Sequence, residues 1–291
     1  TWDHSLTTDT AYRKYDWNGD YIVSSRNEIT GRGRSMRHYK RPLTIGRANL
    51  DYRLNNHHSL NLNYLLSRIG NDRYDEADTD FEASNDILAK HVTGFSYNQS
   101  LLEEKMSNTF FVKNYINHLN IRQTDLSSIT GSKDVKGTIT KKYWGYGIGS
   151  RYTAIKPLSI KISYEHSVRL PLARELLGNG TTIYANVALK PESSDNINLG
   201  IFGTWHPAPG HTLYYEANGF LRYVDDYIQA TVETKEGMMQ YKNVPAVHIK
   251  GIEGEVRYDW QSKLQLATNV SFQEARDQNR YKTDGKPSAT Y

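Results

Sequence analysis

Apolar and polar residues alternate with a period of two along much of the chain. The clearest run is Leu158 to Val168, where Leu158, Ile160, Ile162, Tyr164 and Val168 fall on one side and Ser159, Lys161, Ser163, Glu165 and Ser167 on the other. That period belongs to a strand whose two faces differ. The charged side requires water, so the apolar side meets something else. Trp144, Tyr146, Ile148 and Tyr152 alternate in the same way with Gly145, Gly147, Gly149 and Arg151, and Ile197, Leu199, Ile201 and Trp205 with Asn196, Asn198, Gly200 and Thr204. Ile252, Val256, Tyr258 and Trp260 alternate with Glu253, Glu255, Arg257 and Asp259, and Leu264, Leu266, Val270 and Phe272 with Gln265, Asn269, Ser271 and Gln273. Leu60, Leu62, Tyr64 and Leu66 keep the pattern while Leu65 interrupts its polar side, and between Met106 and Arg122 the adjacent Phe110 and Phe111 hide the phase.

The connections carry a second pattern. Short links run from Asn55 to His58, Ser100 to Lys105, Ala154 to Pro157, Pro207 to His211 and Gln261 to Lys263. Long polar segments run from Ser24 to Arg41, Gly70 to Leu88, Gln123 to Lys142, Arg169 to Pro191 and Val224 to Val247. Short and long alternate strictly. In an up-and-down antiparallel sheet alternate connections lie at one end, so this order predicts tight turns at one end and long loops at the other. Outer-membrane barrels are built so, with short periplasmic turns and long extracellular loops, whereas a soluble sandwich has no reason to segregate its loops. About eleven strands are predicted, many near the ~9–11 residues of a tilted membrane span. Unpaired edges do not persist in lipid, so the sheet must close, on itself or with further strands.

Composition narrows the picture without changing it. The 291 residues suffice for one large all-β domain, and the absence of cysteine removes disulfides, zinc–thiolate sites and a cysteine nucleophile. Tyrosine occurs 22 times. Its apolar ring and polar tip suit membrane interfaces, though also a carbohydrate-binding surface. No apolar run reaches the ~18 residues that mark a helical span, which excludes helical crossing but not a barrel. A net charge of +4 gives no nucleic-acid footprint. The chain starts at Thr1 with neither an initiator methionine nor a signal peptide, so a processed or truncated segment is expected.

The segment Arg169 to Gly200 resembles a stretch of the barrels of TonB-dependent receptors, in which an Arg-x-Pro…Glu-Leu run is followed by Asn…Leu-Lys-Pro-Glu and a strand ending in Leu-Gly. The matching residues are Arg169, Pro171, Glu175, Leu176, Asn186, Leu189, Lys190, Pro191, Glu192, Ser193 and Gly200. Downstream, Tyr241, Lys242 and Asn243 ahead of Gly251, Ile252 and Glu253 resemble a Tyr-x-Asn and a Gly-Val-Glu of the same receptors, at the start of a later strand. The flavour is closest to receptors of Bacteroidetes-type bacteria. The resemblance implies an all-β, antiparallel, up-and-down transmembrane barrel in the bacterial outer membrane. It also implies an N-terminal plug inside the barrel, energy delivered by the TonB complex, and import of a scarce bulky solute such as a siderophore, haem, cobalamin, a glycan or a peptide. Neither a plug-like region nor a TonB box is read in residues 1–291, so the chain is expected to be an internal barrel segment. It would supply roughly half of a wall of about 22 strands.

Candidate sites compete with plainer readings. Arg169, Glu175, Glu192, Asn243 and Glu253 are candidates for facing ligand or plug, with Glu192 and Glu253 placed where strands begin; the plainer reading is structural. A buried lumen charge requires a partner, which a plug would supply. The acidic loop Gly70 to Leu88 contains Asp78-x-Asp80, two oxygen ligands for Ca²⁺ without the full EF-hand spacing; its plainer reading is a solvated acidic loop. The basic loop Ser24 to Arg41 carries Arg26, Arg32, Arg34, Arg37, Lys40 and Arg41, which suit lipopolysaccharide phosphates or an anionic ligand. A surface lipoprotein is a further partner of such receptors. No nucleophile–base pair, zinc spacing or phosphate loop is present, so no enzyme is expected. The rival readings are a passive porin-like channel, a soluble secreted β-sheet binding module or adhesin, and an outer-membrane barrel enzyme.

Overall fold

The computed structural model describes residues 8–11, 36–75, 84–121, 137–178, 183–232, 239–261 and 263–278. These form one sheet of thirteen strands. The strands are β1 (Thr8–Ala11), β2 (Met36–Lys40), β3 (Leu43–Asn55), β4 (His58–Asp75), β5 (Ser84–Leu101), β6 (Met106–Ile121), β7 (Gly137–Ile155), β8 (Leu158–Arg169), β9 (Ile183–Tyr184), β10 (Glu192–Trp205), β11 (His211–Val232), β12 (Met239–Trp260) and β13 (Leu264–Asp277); a helical turn, α1 (Ala173–Leu177), lies between β8 and β9. Both β2 and β3 pair with β4, so they are one strand interrupted at Arg41-Pro42, where proline has no N–H to give the ladder. With these two taken together and the two-residue β9 set aside, the sheet is an antiparallel meander of eleven strands, in agreement with the sequence.

The two faces are as unlike as the alternation predicted. Register aligns apolar residues from strand to strand: Ile160 with Ile201, Ile162 with Leu199, Tyr258 with Leu266 and Ile252 with Phe272. All of these stand on the outer face, where Ile252 is 65 %, Phe272 66 % and Val270 69 % exposed. An apolar surface this continuous is far larger than the few hundred Å² a soluble monomer leaves in water, and it matches a wall that meets lipid. Serine, asparagine, lysine and glutamate fill the inner face.

The hidden phase of β6 is also explained. Phe110 points outward opposite Ile148, while Phe111 points inward and covers Gly147 across the β6–β7 ladder. A Cβ on Gly147 would stand 2.5 Å from the Phe111 ring. Phe220 and Gly251 repeat the arrangement across β11–β12, again at 2.5 Å. The glycines let an inward aromatic ring lie flat against the wall.

The short links fall where expected, but the long segments contain more strand than their sequences suggested. β4 continues to Asp75, β5 begins at Ser84, β7 at Gly137, and the supposed connection Val224 to Val247 is mostly the upper ladder of β11 and β12, each 22 residues long. Above the lipid neither face must be apolar, so the backbone ladder persists after the alternation has gone. For the same reason Tyr241, Asn243 and Glu253 share one strand, and Glu253 lies in the middle of β12 rather than at a strand start.

Candidate functional site

The described residues between β8 and β10 do not stand out into solvent. Ala173, Leu176, Leu177 and Leu189 turn back over the inner face at the long-loop end and are buried there. Leu176 and Leu177 of α1, with Ala173 and Leu189, join Leu88 of β5, Leu119 and Ile121 of β6 and Ile228 of β11 in one buried cluster, with Tyr241 of β12 packed against it. Those strands lie on both sides of β7, β8 and β10, so the sheet curves around the segment. The helical turn ends at Gly178, whose φ of 66° is a left-handed conformation that favours glycine.

Polar contacts fix this segment. Arg169, the last residue of β8, stands directly across the ladder from Glu192, the first of β10. Its Nε and Nη2 donate to the two Glu192 oxygens at 2.7 and 2.8 Å, a forked pair. Its Nη1 donates to both Glu175 oxygens at 3.2 Å. Glu175 is buried and also accepts from the Leu172 backbone N–H at 2.7 Å, which caps the helical turn. Glu192 further accepts from the Ile228 N–H at 2.7 Å. Arg169 lies beyond the apolar band, and the Glu192 hydrogen bonds hold its guanidinium above the usual arginine range.

A second set ties the segment to β12 and β4. Asn243 accepts from the Lys190 N–H at 3.0 Å and donates to the carbonyls of Lys190 and Asp226 at 3.0 and 2.7 Å. Asn186 donates to the Tyr241 carbonyl at 2.8 Å and Gln240 to that of Ala185 at 2.9 Å. Arg41, at the break between β2 and β3, donates to the Gly178 carbonyl at 2.8 Å and to Asn71 at 3.0 Å. Lys90 of β5 reaches the Leu170 carbonyl at 3.3 Å.

Four of the residues singled out from sequence therefore come together. Arg169, Glu175 and Glu192 form one ion cluster and Asn243 clamps the far end of the same segment, each with partners inside the chain. Glu253 is separate. It lines a groove of about 510 Å³ on the inner face beside Arg151, Lys161, Asn198, Asn218 and Arg222. Asp78 and Asp80, like Arg26, Arg32 and Arg34, lie outside the described residues. Among the described residues no group of three or more His, Asp or Glu is placed to hold a metal. Sequence reasoning missed Asn71 and Gln240, and it named Arg41 only as part of a basic loop and Asn186 only as a motif residue. The available signal was Leu172, Leu176, Leu177 and Leu189, too many large apolar residues for a solvated loop.

Elsewhere the inner wall pairs its charges: Lys113 with Glu165 at 2.9 Å, Lys161 with Glu216 at 2.5 Å and Arg257 with Glu255 at 2.9 Å. Lys113 also sits over the Phe111 ring and Arg222 over Phe220. The inner wall is thus a polar, charge-paired surface, partly covered at one end by the infolded segment. It can line a path or hold a polar body.

A family model described as TonB dependent receptor-like, beta-barrel, matches residues 1–290. No curated protein matches the chain. Among solved structures, the copper transporter OprC superposes with a TM-score of 0.70 at 12 % identity, over 94 % of this chain and 42 % of that one. The FrpB iron transporter of Neisseria meningitidis (F5-1 variant) gives 0.64 at 13 % identity, over 93 % and 41 %. The Serratia marcescens hemophore receptor HasR, a double mutant in complex with its hemophore HasA and heme, gives 0.55 at 14 % identity, over 82 % and 42 %. At these identities the likeness is one of fold, and the chain spans less than half the length of each of these proteins.

Proposed function

The chain belongs to the TonB-dependent receptor-like β-barrel family, and from that premise we propose that it is a stretch of the wall of an outer-membrane receptor that takes up a scarce, bulky solute. The family is one of receptors, and uptake rather than catalysis is the role assigned. The observation that carries the reading is the pairing of a lipid-facing apolar surface with a polar inner wall, part of which is covered by an infolded segment of the same chain. The family match favours a receptor over a passive pore, and the cover suits a wall that binds its cargo before passing it.

In this reading the TonB complex drives transport through a plug seated against the inner wall, and the groove around Arg151, Arg222 and Glu253 faces that plug or the passing cargo. The cargo class is a metal chelate, haem, cobalamin, a glycan or a peptide, the Arg169–Gly200 motif supports a Bacteroidetes-type receptor, and a surface lipoprotein is a candidate partner. Asp78 and Asp80 are retained as a candidate Ca²⁺ pair in an outer loop. The test is made on the parent gene expressed with its native flanks. Outer membranes are isolated, and boiled and unboiled samples are compared on an SDS gel. A heat-dependent mobility shift, together with uptake lost on deletion of TonB, is the expected result. A soluble protein with no shift contradicts the wall, and uptake independent of TonB contradicts the receptor.

A further inference from the structure

The two rims of the outer face differ chemically. At the short-turn end the outward residues are Tyr152, Ile155, Trp205, Trp260 and Leu264, aromatic or aliphatic and exposed. At the long-loop end the register sets a polar row directly above the apolar band. Tyr146, His166, Asp195, Tyr223, His248 and Arg276 stand side by side on β7, β8, β10, β11, β12 and β13. On β12 and β13, one step below His248 and Arg276, Lys250 pairs with Glu274.

A notch of about 240 Å³ opens in this row, lined by Leu221, Tyr223, His248, Lys250, Glu274 and Arg276. Lys250 and Arg276 share one carboxylate: Glu274 lies 3.3 Å from the Lys250 ammonium and 2.5 Å from the Arg276 guanidinium. Asp195 of the same row is occupied by His166 at 2.9 Å and the Tyr164 hydroxyl at 2.8 Å. The notch thus keeps an excess positive charge. Beneath it lie Ile252, Phe272 and Val270, all exposed. Cations directly over an apolar wall fit an amphiphile that has an anionic head and acyl chains.

Resting on the reading of this surface as a membrane wall, we propose that the notch binds a phosphate of lipopolysaccharide in the outer leaflet. The Arg276 fork and the Lys250 ammonium take the phosphate oxygens. Tyr223 and His248, in edge contact at 4.7 Å between ring centroids, flank the sugar, and the acyl chains run down over Ile252 and Phe272. Among these rim residues the charges stand at the long-loop end, while the short-turn end carries aromatic and aliphatic side chains, an order that suits an asymmetric bilayer. The sugar-bearing phosphate, rather than a glycerophospholipid, suits the polar row that continues sideways to Asp195 and His166.

The test uses the full receptor containing this chain, extracted from outer membranes and washed in detergent. It is mixed with purified lipid A or with phosphatidylglycerol, and bound lipid is counted by native mass spectrometry. The expected result is preferential retention of lipid A, weakened roughly tenfold or more in K250A/R276A, as two cations at a membrane surface imply. Glu274→Gln frees both cations and should tighten binding several-fold, which keeps the proposal testable if the double variant fails to assemble. Equal binding by all three proteins, or preference for phosphatidylglycerol, overturns it. Heat-dependent mobility on the same samples reports the wall separately. A shift without these lipid effects removes the lipid site alone, and no shift removes both.

Discussion

Arg169 and Glu192 face each other at the top of the β8–β10 ladder, and the guanidinium of one grips both oxygens of the other at 2.7 and 2.8 Å. The pair closes the base of the infolded segment, because Ala173, Leu176, Leu177 and Leu189, which lie between the two residues in sequence, pack over the inner wall.

Arg169→Met therefore strands Glu175, whose side chain is only 5 % exposed. We expect a loss of about 2 kcal/mol, less than for a fully buried pair because the Arg169 side chain is 40 % exposed. Glu192→Gln should cost about as much, and the double variant less than the sum. Urea unfolding of the full receptor in lipid vesicles measures all three; strict additivity would show that the pair is not coupled.

Asn243→Ala removes three hydrogen bonds that clamp Lys190 to β12. Hydrogen exchange should show the Lys190 amide, otherwise bonded to Asn243, opening faster by roughly tenfold or more. The amides of β12 near Tyr258 should be unchanged. Equal acceleration at both places would point to general loosening of the wall.

Gly147→Val forces the Phe111 ring off the wall, and Gly251→Val does the same to Phe220. Each should destabilise by about 1–3 kcal/mol. Phe111→Ala in the first background, and Phe220→Ala in the second, should recover part of the loss. No recovery in thermal unfolding would place the strain elsewhere.

Leu199 and Asn198 are neighbours on β10 but belong to opposite faces. Leu199→Arg puts a charge in lipid and is expected to cost about 2–4 kcal/mol in vesicles if Leu199 sits near the midplane. Asn198→Arg faces the polar lumen and should lie within about 1 kcal/mol of the parent. Matching losses would argue against the assignment of faces.

The absence of cysteine from this chain permits a test of orientation in a cysteine-free parent. Lys156→Cys lies in a short turn and Leu172→Cys at the base of α1, where Leu172 is 43 % exposed. On intact cells a membrane-impermeant maleimide should label the second and spare the first, and on broken cells it should label both. The reverse result would invert the topology.

The lipid-spanning half of this wall was readable because it obeys one rule. Leu158 to Ser167 alternates and the structure places its two sets on opposite faces, while Val168 at the upper end is buried against Tyr115. The rule stops where the lipid stops, so the upper ladder of β11 and β12 reads as a loop in the sequence although its backbone is paired except at Asp226 and Pro245. Phe110 and Phe111 concealed β6, since an inward phenylalanine makes sense only once Gly147 is known to lie across from it. At the site, the Arg169–Glu192 pair was visible as two motif residues but not as a contact, because their adjacency depends on a register that sequence spacing alone does not fix. The folding-in of Leu176 and Leu177 was the larger omission. Their partners, Leu88, Leu119 and Ile228, are scattered over the chain and share a cluster only after the sheet has curved.

That curvature has a consequence for assembly. An open meander twists by itself, but its twist alone does not hold distant strands at a fixed separation. Here α1 and its flanks form a chord across the arc, fixed to β5 and β6 at one end and to β11 and β12 at the other. The chord therefore holds β5 and β6 at a set separation from β11 and β12, and the strands between them must bend to span it.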